Sequence, residues 1–509
     1  MAQDNPICFY LGQELKTLSE VPATLTVLNY LRLQENAIGT KEGCAEGDCG
    51  ACTVVLGELI NGQLQYKAVN ACILFVPMLD GKQLITVEHL KSFNQGQLHP
   101  VQQLLVDTHG SQCGFCTPGF VMSGYALYEN TRKAGKINEA WSNLTEQTTD
   151  LTNTINKAFA GNLCRCTGYG PIIEAGKQMV QHALNAPQNE NAEQDSMTAK
   201  LQAIQPSHPK QQHTATQTFI QPHTITDLTQ ALVDFPEAKL LAGATDLGLW
   251  VTKQHRHLPA LISVNQVPEL QQITLHTTHL EIGAAVTYSQ AMPVLCQYFP
   301  MLEPYLERHS STQIRNSGTI VGNIANGSPI ADMPPPLMAL GATLRLRNAQ
   351  GVRDLLLQDY FIEYGRQGLQ AHEFIESVSI PWLNSAAYFQ VYKISKRFEQ
   401  DISSVSAAFY IELTDQKVSQ VRLCFGGMAG TPKRAALAEA ALLNQPWQNA
   451  TLDQAVAALT QDFTPLDDFR ASKTYRMTVA QNLLRKFFIE TQTTGQPLSL
   501  THTGEIKHA

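Results

Sequence analysis

The first part of the chain, up to about residue 90, has the apolar pattern of a small β-rich unit with one helix. Runs of apolar and β-branched residues predict strands at Ile7–Leu11 and Thr53–Ile60. Asn61 and Gly62 follow the second run and predict a two-residue hairpin turn. Between the two strands, apolar residues recur at helical spacing over residues 26–33.

After this unit the apolar spacing becomes helical. Helices are predicted around Val101 and Leu105, and over residues 119–128 and 172–184. A polar stretch at residues 129–156 interrupts this pattern and predicts a surface insertion that is partly helical.

A domain boundary is predicted at residues 186–212, which are rich in Gln, Asn, Ala and Pro and contain no aromatic residue. Such a composition does not offset the entropy of ordering the backbone, so it predicts a linker. Beyond it, residues 219–381 mix strands, short helices and glycine-rich loops. The remainder predicts strands at 404–411 and 420–425, then helices at 433–443 and 478–487.

Length and composition indicate a folded protein of several domains. The 509 residues predict two to four domains, and 43% of them are hydrophobic. The net charge of −8 argues against a general binder of nucleic acid or acidic lipid. Because the start of the chain is polar and no run of about 18 apolar residues occurs, no signal peptide or membrane span is predicted. The expected location is the cytoplasm.

Cysteine usage adds chemistry to this picture. Eight of the eleven cysteines lie between Cys44 and Cys166. In a chain without a secretion signal, so many cysteines seldom form disulfides, so their density predicts metal binding.

The first cysteine group has the spacing of a plant-type ferredoxin. Cys44, Cys49 and Cys52 form a C-x4-C-x2-C run, and Cys72 follows after nineteen residues. Zinc is the alternative, although zinc sites usually use two short CxxC pairs. Three glycines in the loop permit backbone N–H groups to turn toward cluster sulfurs: Gly43, Gly47 and Gly50.

The second cysteine group consists of two short pairs. Cys113 and Cys116 form C-x2-C, and Cys164 and Cys166 form C-x-C. The first pair alone also fits a redox dithiol or half a zinc site. Thr117-Pro118 predicts a helix start beside the first pair, which would stabilise the negative charge of a cluster.

The residues around both groups resemble the signature of the molybdenum hydroxylases, the relatives of xanthine dehydrogenase and aldehyde oxidase. The resemblance rests on residues 42–52, on GSQCGFCTPG at 110–119 and on GNLCRCTGY at 161–169. It implies two [2Fe–2S] clusters on the eight cysteines. Forty-seven residues separate Cys116 from Cys164, more than is usual in the family, and the predicted insertion accounts for the excess.

Two glycine-rich stretches further on predict a flavin site. They are LLAGATDL at residues 240–247 and TIVGN at 319–323. Neither fits GxGxxG in a βαβ unit, so a Rossmann site is not indicated. Each glycine alone is commonly a turn residue, but such loops can present consecutive N–H groups to a pyrophosphate.

Both stretches resemble the FAD loops of the vanillyl-alcohol-oxidase-type (PCMH-type) flavin domain of xanthine dehydrogenases. The resemblance implies that Asp332 holds the nucleotide, Ile375 packs on the adenine and Lys393 contacts FAD. It also implies contacts to the pyrophosphate and ribityl chain from Leu240, Leu241, Ala242, Gly243, Ala244, Thr245, Asp246, Leu247, Thr319, Ile320, Val321, Gly322 and Asn323.

Three features depart from the family pattern or stay open. Val321 stands where a glycine is common, and His309 stands where relatives often have a Phe near the flavin ring. His309 is expected to stack or be tolerated there, with acid–base work as the alternative. Residues 395–403 resemble the loop that lines the nicotinamide face, and an ordinary solvated charged loop is the alternative.

By this resemblance the chain is an α+β multidomain protein. The expected parts are a β-grasp plant-type ferredoxin domain (1–90), a helical [2Fe–2S] domain (91–185), a linker (186–212), a PCMH-type FAD domain (213–383), a C-terminal α+β domain like that of CO dehydrogenase flavoproteins (384–490) and a tail (491–509).

The order of parts resembles the small subunit of bacterial xanthine dehydrogenases. The resemblance implies transfer of electrons from a molybdenum cofactor on a large partner subunit, through two [2Fe–2S] clusters and FAD, to NAD⁺ during oxidation of hypoxanthine and xanthine to urate. No catalytic residue for substrate hydroxylation is expected on this chain. A heterotetramer of two small and two large subunits is expected. Gln112, beside Cys113, is expected to face the pterin of the molybdenum cofactor. The alternative is that Gln112 caps the helix that starts at Thr117-Pro118.

Three other functions fit the sequence. The first is electron transfer for another molybdenum hydroxylase, acting on aldehydes or N-heterocycles. The second is a free-standing iron–sulfur flavin reductase. The third is a scaffold whose cysteines bind structural zinc.

Overall fold

A five-stranded mixed sheet forms the N-terminal domain. The computed structural model describes residues 6–134, 151–186 and 191–492. The strand order is Glu14–Leu18, Ile7–Leu11, Gln83–Ile85, Thr53–Ile60 and Gln63–Asn70, with Ile7–Leu11 parallel to Gln83–Ile85 and the other pairs antiparallel. Short helical segments complete the domain: Val27–Asn29, the π-helical Tyr30–Gln34, the 3₁₀ turn Val76–Leu79 and His89–Phe93.

The predicted hairpin is confirmed. Ile60 pairs with Gln63, and the turn residues Asn61 and Gly62 both have positive φ angles, 51° and 77°. Positive φ at both central positions is the type I′ arrangement, whose twist matches that of the flanking strands.

A helical domain packs on one face of this sheet. Its helices are Pro100–Asp107, Thr117–Ala134, Leu151–Phe159 and Gly170–Asn185. The predicted helix start at Thr117-Pro118 is confirmed. Val55 and Tyr66 of the sheet share one hydrophobic core with the helices, so the two domains form a continuous unit.

The predicted insertion is in part a continuation of regular helices. Residues 129–134 extend the helix Thr117–Ala134, and residues 151–156 belong to Leu151–Phe159. Residues 135–150 of the predicted insertion lie outside the described residues.

The segment at residues 186–212, predicted as a linker, contains regular structure. The helix Asn191–Ala203 lies within it, and the strand Lys210–His213 begins within it. Met197 and Leu201, four residues apart, are buried in the core of the helical domain, and this burial offsets the ordering cost that the average composition suggested. Lys210 also pairs with buried Asp80 at 2.8 Å, which fastens the segment to the N-terminal domain.

The flavin-domain region contains two main sheets. The first has the order Lys210–His213, Thr218–Gln221, Ala260–Ser263 and Lys239–Leu241, the last three strands being parallel. The second is antiparallel, in the order Ile273–Leu275, His279–Gly283, Phe374–Pro381, Thr343–Asn348 and Gly351–Leu356. A small hairpin pairs Phe361–Glu363 with Arg366–Gln367.

Short helices connect these sheets. They are Ile225–Asp234, Leu247–Thr252, Pro268–Gln271, Tyr288–Tyr298, Pro300–Leu302, Glu303–Glu307, Thr312–Arg315, Ile320–Ala325, Pro334–Leu340 and Leu357–Tyr360. Phe219, Leu241 and Leu261 of the first sheet belong to the same core as the N-terminal domain. The flavin-domain region is therefore packed directly against the first cysteine-bearing domain.

The C-terminal domain is an antiparallel sheet covered by helices. Its strands are Ala387–Ile394, Val405–Thr414, Lys417–Gly426 and Lys433–Arg434, and its helices are Ala436–Leu442, Asn449–Asp462 and Lys473–Gln492. Residues 493–509 of the predicted tail lie outside the described residues. None of the helices described in the chain combines the length and apolarity that a membrane crossing requires.

Candidate redox sites

The first cysteine loop turns backbone amides toward a thiolate. The N–H groups of Glu46, Asp48 and Cys49 donate to Cys44 Sγ at 3.4, 3.3 and 3.4 Å. Hydrogen bonds from the Cys49 and Cys72 thiols, together with these amides, hold the pKa of Cys44 well below its usual range. The loop therefore stabilises negative charge on sulfur, as a cluster with thiolate ligands requires.

Glycines make this loop geometry possible. Gly47 and Gly50 have φ angles of 82° and 67°, which favour glycine. A Cβ at Gly43 would lie 2.6 Å from Cys49 Sγ, so only glycine leaves room for the sulfur there.

The second cysteine group is assembled from two helix-flanking loops. Cys166 Sγ lies 3.7 Å from Cys113 Sγ and 3.9 Å from Cys164 Sγ, and Cys116 interacts with Cys164. Burial opposes ionisation of Cys164, but hydrogen bonds from the Thr167 hydroxyl and backbone lower its pKa to about 7. Forty-seven intervening residues therefore do not separate the two pairs in space.

The two cysteine groups should respond independently to ligand replacement. We expect Cys113→Ser to abolish one [2Fe–2S] signal in the EPR spectrum of the reduced protein, and Cys44→Ser to abolish the other, because each cysteine lies in a different loop. Cys8→Ser, outside both groups, is the matched control and should retain both signals. Loss of both signals in each single variant, with FAD retained, would contradict two separate centres.

The two cysteine loops touch each other. Leu163 N donates to Cys49 O at 3.0 Å. A Cβ at Gly50 would lie 2.0 Å from Gly161 O, and one at Gly119 would lie 2.3 Å from Gly50 O. These backbone contacts require glycine, and they bring the two predicted clusters next to each other.

Four buried side chains, here called the junction network, join both loops to the flavin-domain region: Thr53, Ser123, Asn162 and Gln313. Asn162 Nδ2 donates to Gly50 O at 3.1 Å, and Asn162 Oδ1 accepts from Ser123 Oγ at 2.6 Å and from Gln313 Nε2 at 2.9 Å. Gln313 belongs to the helix Thr312–Arg315. The side-chain amide of Asn162 therefore links three parts of the chain.

Sequence reasoning did not single out the junction network. Asn162 lies inside the quoted motif around Cys164, so its position was a usable signal. Gln313 carries no local signal, because its partners lie 151 or more positions away along the chain.

The predicted FAD loops lie side by side. Leu240 and Leu241 end the strand Lys239–Leu241, and a Cβ at Gly243 would lie 2.0 Å from Ser317 O, just before the second loop. The Thr319 hydroxyl accepts from Gly322 N at 2.9 Å and begins the helix Ile320–Ala325. The fold thus brings the two predicted stretches together.

The first loop offers a set of backbone donors. Within the described residues, the backbone N–H groups of Gly243, Ala244, Thr245 and Asp246 make no hydrogen bond to another backbone group. Ala244 has a positive φ of 59°, which turns the chain between them. Four consecutive amides of this kind suit a pyrophosphate, so the donor set fits FAD.

A buried charge cluster lies nearby, formed by Asp332, Lys393, Ser403 and His309. Asp332 Oδ2 accepts from Lys393 Nζ at 2.7 Å and lies 2.8 Å from His309 Nδ1, and Asp332 Oδ1 accepts from Ser403 Oγ at 2.7 Å. Burial opposes ionisation of Asp332, but the Lys393 charge and the His309 contact hold its pKa well below the usual range. The carboxylate is therefore fully engaged by protein groups.

The other predicted flavin residues occupy distinct environments. His309 stacks on Tyr288 with ring centroids 4.2 Å apart, and burial lowers its pKa. Asn323 Oδ1 accepts from Met333 N at 3.1 Å. Ile375 lies in the strand Phe374–Pro381 and, like Ile320 and Val321, is buried in the flavin-domain core.

The loop at residues 395–403 joins the flavin-domain region to the first cysteine loop. Arg308 fixes it by donating to Lys393 O at 2.6 Å and to Ser395 Oγ at 2.9 Å. The Gln400 amide, oriented by its hydrogen bonds, donates to Asp48 O at 2.7 Å and accepts from Gly161 N at 2.6 Å. Arg308 was not singled out in the sequence, and Gln400 was included only as part of the stretch at residues 395–403.

Comparison with known protein families agrees with this architecture. Residues 11–76 match the 2Fe-2S iron-sulfur cluster binding domain, and residues 86–177 match the [2Fe-2S] binding domain. Residues 213–383 match the FAD binding domain in molybdopterin dehydrogenase, and residues 390–491 match the CO dehydrogenase flavoprotein C-terminal domain.

Similar proteins include xanthine dehydrogenases. The chain is 31% identical to xanthine dehydrogenase of Emericella nidulans, over 95% of this chain and 38% of that protein. It is 30% identical to xanthine dehydrogenase of Drosophila pseudoobscura pseudoobscura, over 89% of this chain and 37% of that protein. The chain therefore spans less than two fifths of the length of these relatives.

A solved structure is similar to about half of the chain. A chain of carbon monoxide dehydrogenase from Hydrogenophaga pseudoflava is 25% identical, with a TM-score of 0.50, over 53% of this chain and 94% of that chain. Together with the cysteine and flavin-loop geometry, these matches fit the iron–sulfur and FAD-binding part of a molybdenum hydroxylase.

Proposed function

We propose that this chain passes electrons from a molybdenum cofactor on a partner subunit, through its two [2Fe–2S] clusters and FAD, to NAD⁺ during oxidation of hypoxanthine and xanthine to urate. When bound, the clusters supply one-electron chemistry and FAD connects it to two-electron transfer. The similarity to xanthine dehydrogenases supports this choice of substrate.

One observation carries the proposed direction of transfer. The second cysteine group is open to solvent, with Cys113 and Cys166 exposed, whereas Cys52 and Cys72 of the first group are buried. The first loop lies against the flavin-domain region, where Lys253 is 3.6 Å from Glu46. This order supports entry of electrons at the second group and exit through the flavin.

The exposed cysteine group has the surface of a protein-docking site. Three large apolar side chains surround it: Phe115, Leu163 and Tyr169, exposed by 49%, 46% and 37%. An apolar patch of this kind around a redox centre supports coverage by a partner chain. By family likeness, we propose a large molybdenum-cofactor subunit in a heterotetramer of two small and two large chains.

Gln112 is placed to meet this partner. Its side chain is exposed beside Cys113, while the side-chain hydrogen bond at the start of the helix Thr117–Ala134 joins Ser111 Oγ and Thr117 Oγ1 at 2.7 Å. This arrangement favours a partner contact over helix capping. A neutral amide can pair with a pterin edge without burying a charge.

The loop at residues 395–403 supports NAD⁺ as the electron acceptor. Arg397 and Phe398 are exposed, and the loop begins next to Lys393 of the buried charge cluster. An accessible loop beside predicted flavin ligands suits a nicotinamide-binding face. The proposed location is the cytoplasm, where free thiols and NAD⁺ coexist.

A second candidate is electron transfer for another molybdenum hydroxylase. The similarity to a chain of carbon monoxide dehydrogenase favours it, because that enzyme acts on a different substrate. The two functions differ only in the substrate that the partner oxidises.

Activity measurements on the chain with and without its partner test the proposal. The purified chain should reduce artificial acceptors with NADH and show no activity toward purines, and addition of the molybdenum subunit should give purine oxidation coupled to NAD⁺ reduction. Purine oxidation by the chain alone would contradict the proposal. A complex active only on aldehydes, N-heterocycles or carbon monoxide would favour the second candidate.

Gln112→Ala should slow reduction of the clusters by purine by roughly tenfold, because a single lost hydrogen bond of about 1.4 kcal/mol corresponds to that factor. Reduction by NADH should change much less. Gln97→Ala, another exposed glutamine of the region, is the matched control. Rapid-mixing absorbance of both variants measures the two rates, and equal slowing of both would rule out a contact specific to the partner.

A further inference from the structure

Two histidines and a glutamate converge on a surface hairpin of the flavin-domain region. The strands Ile273–Leu275 and His279–Gly283 form the edge of the antiparallel sheet. Residues 279 and 281 share one face of their strand, and the turn brings His276 over them. His276 Nε2 lies 2.9 Å from Glu281 Oε2, and one ligand atom from each residue lies within 4.8 Å of the others.

Neighbouring groups orient these side chains. Glu281 Oε1 accepts from Ser377 Oγ at 2.6 Å and lies 3.7 Å from Arg345, which leaves Oε2 directed toward His276. His279 Nδ1 pairs with Thr278 Oγ1 at 2.9 Å, which leaves Nε2 as its free ring nitrogen. Outer partners of this kind are what fix the ligands of metal sites.

The turn itself is held in place. His276 N donates to His279 O at 2.9 Å, and Trp382 Nε1 donates to His276 O at 3.0 Å. Trp382 packs against Tyr298, with ring centroids 4.9 Å apart. The hairpin therefore presents its side chains from a fixed backbone, as a binding site requires.

The geometry points to a divalent transition-metal site formed by His276, His279 and Glu281, with a water completing the coordination. Two imidazoles and one carboxylate form a ligand set that suits Zn²⁺, Ni²⁺ or Cu²⁺ and not the oxygen-preferring Ca²⁺ or Mg²⁺. Ligands about 2.1 Å from a tetrahedral ion lie about 3.4 Å apart. Because the His276 and His279 rings are stacked at an interplanar angle of 20°, metal binding requires one imidazole to rotate toward the ion.

This site is separate from the redox centres. Its three ligands lie on one hairpin of the second flavin-domain sheet and include none of the cysteines or predicted flavin residues. The competing explanation is an ion pair between His276 and Glu281, with His279 stacked on His276 at a ring-centroid distance of 4.3 Å. Arg345 opposes a cation here, but its contact is with the oxygen that points away from His276.

Zinc titration of the full chain, loaded with iron and FAD, tests the assignment. Calorimetry should detect one high-affinity Zn²⁺ per chain, with iron content unchanged throughout. His276→Ala, His279→Ala and Glu281→Gln should each remove this binding, and Ser377→Ala should weaken it by about 10–100-fold. His257→Ala, an exposed histidine elsewhere in the flavin-domain region, is the matched control and should bind like the wild type.

A spectroscopic readout separates a metal site from an ion pair. Cu²⁺ bound to the wild type should give an EPR spectrum with coupling to two imidazole nitrogens, recorded on oxidised protein so that the clusters are silent. His279→Ala should reduce the coupling to one nitrogen or abolish the signal. Zn²⁺ or Cu²⁺ binding that persists unchanged in the His276→Ala and His279→Ala variants, or its absence from the wild type, would overturn the assignment.

Discussion

Replacing Lys393 with methionine should destabilise the flavin-binding part of the chain by about 3–5 kcal/mol, because it leaves the Asp332 carboxylate buried without its cation. The Lys393 and Asp332 side chains are only 1% and 8% exposed, so water cannot solvate the carboxylate that remains. At about 2–4 °C per kcal/mol, the melting temperature should fall by roughly 10 °C. FAD content should fall with it.

Two controls distinguish loss of the ion pair from loss of a lysine. Lys396→Met removes an exposed lysine whose hydrogen bond is to Phe469 O, and it should melt within about 1 °C of the wild type. The double variant Asp332→Asn/Lys393→Met should recover much of the lost stability, because no unpaired charge is left. A Lys393→Met single variant with normal melting and full FAD would contradict the role assigned to the buried charge cluster.

Replacing Asn162 with alanine should destabilise the junction network and alter the relative position of the two cysteine loops. The variant removes the acceptor of the Ser123 hydroxyl and one acceptor of the Gln313 amide, while the Gly50 carbonyl keeps its hydrogen bonds from Thr53. Unsatisfied buried groups cost about 1–3 kcal/mol each, and partial rearrangement should hold the total to about 2–4 kcal/mol. Thermal unfolding gives the stability change, and EPR of the reduced protein gives the magnetic interaction between the two clusters.

A second variant tests whether the effect belongs to the network. Gln313→Ala lies outside both cysteine loops, so it should change the interaction between the clusters while both remain bound. Asn153→Ala, an exposed asparagine of the helical domain, should change neither stability nor the EPR spectrum. An unchanged interaction in both Asn162→Ala and Gln313→Ala would show that the network does not position the loops.

Much of the fold could be predicted from the sequence because its determinants are local. The strands Ile7–Leu11 and Thr53–Ile60 have the predicted bounds, since their apolar runs end at strong turn residues. The helix start at Thr117-Pro118 follows from the fixed φ of proline. The order of residues 186–212 was not predicted because composition averages over the segment, while its order depends on two apolar residues one helical turn apart.

The candidate sites also include features that the local sequence could predict and features that depend on distant contacts. The cysteine groups could be recognised from spacing because most of their ligands lie close together along the chain. The junction network could not, since Gln313 meets Thr53 across 260 positions. The stacking of His309 on Tyr288 and the engagement of Asp332 by Lys393 also depend on how distant strands and helices pack.

The central claim is that one chain holds two [2Fe–2S] clusters and one FAD in electronic contact. It is tested most directly by EPR of the dithionite-reduced protein, integrated against its FAD content. Because each reduced cluster carries one unpaired electron, the spectrum should contain two distinct signals that integrate to about two spins per FAD. A single signal of about one spin per FAD, or a spectrum without iron–sulfur signals from a protein that contains zinc, would contradict the account.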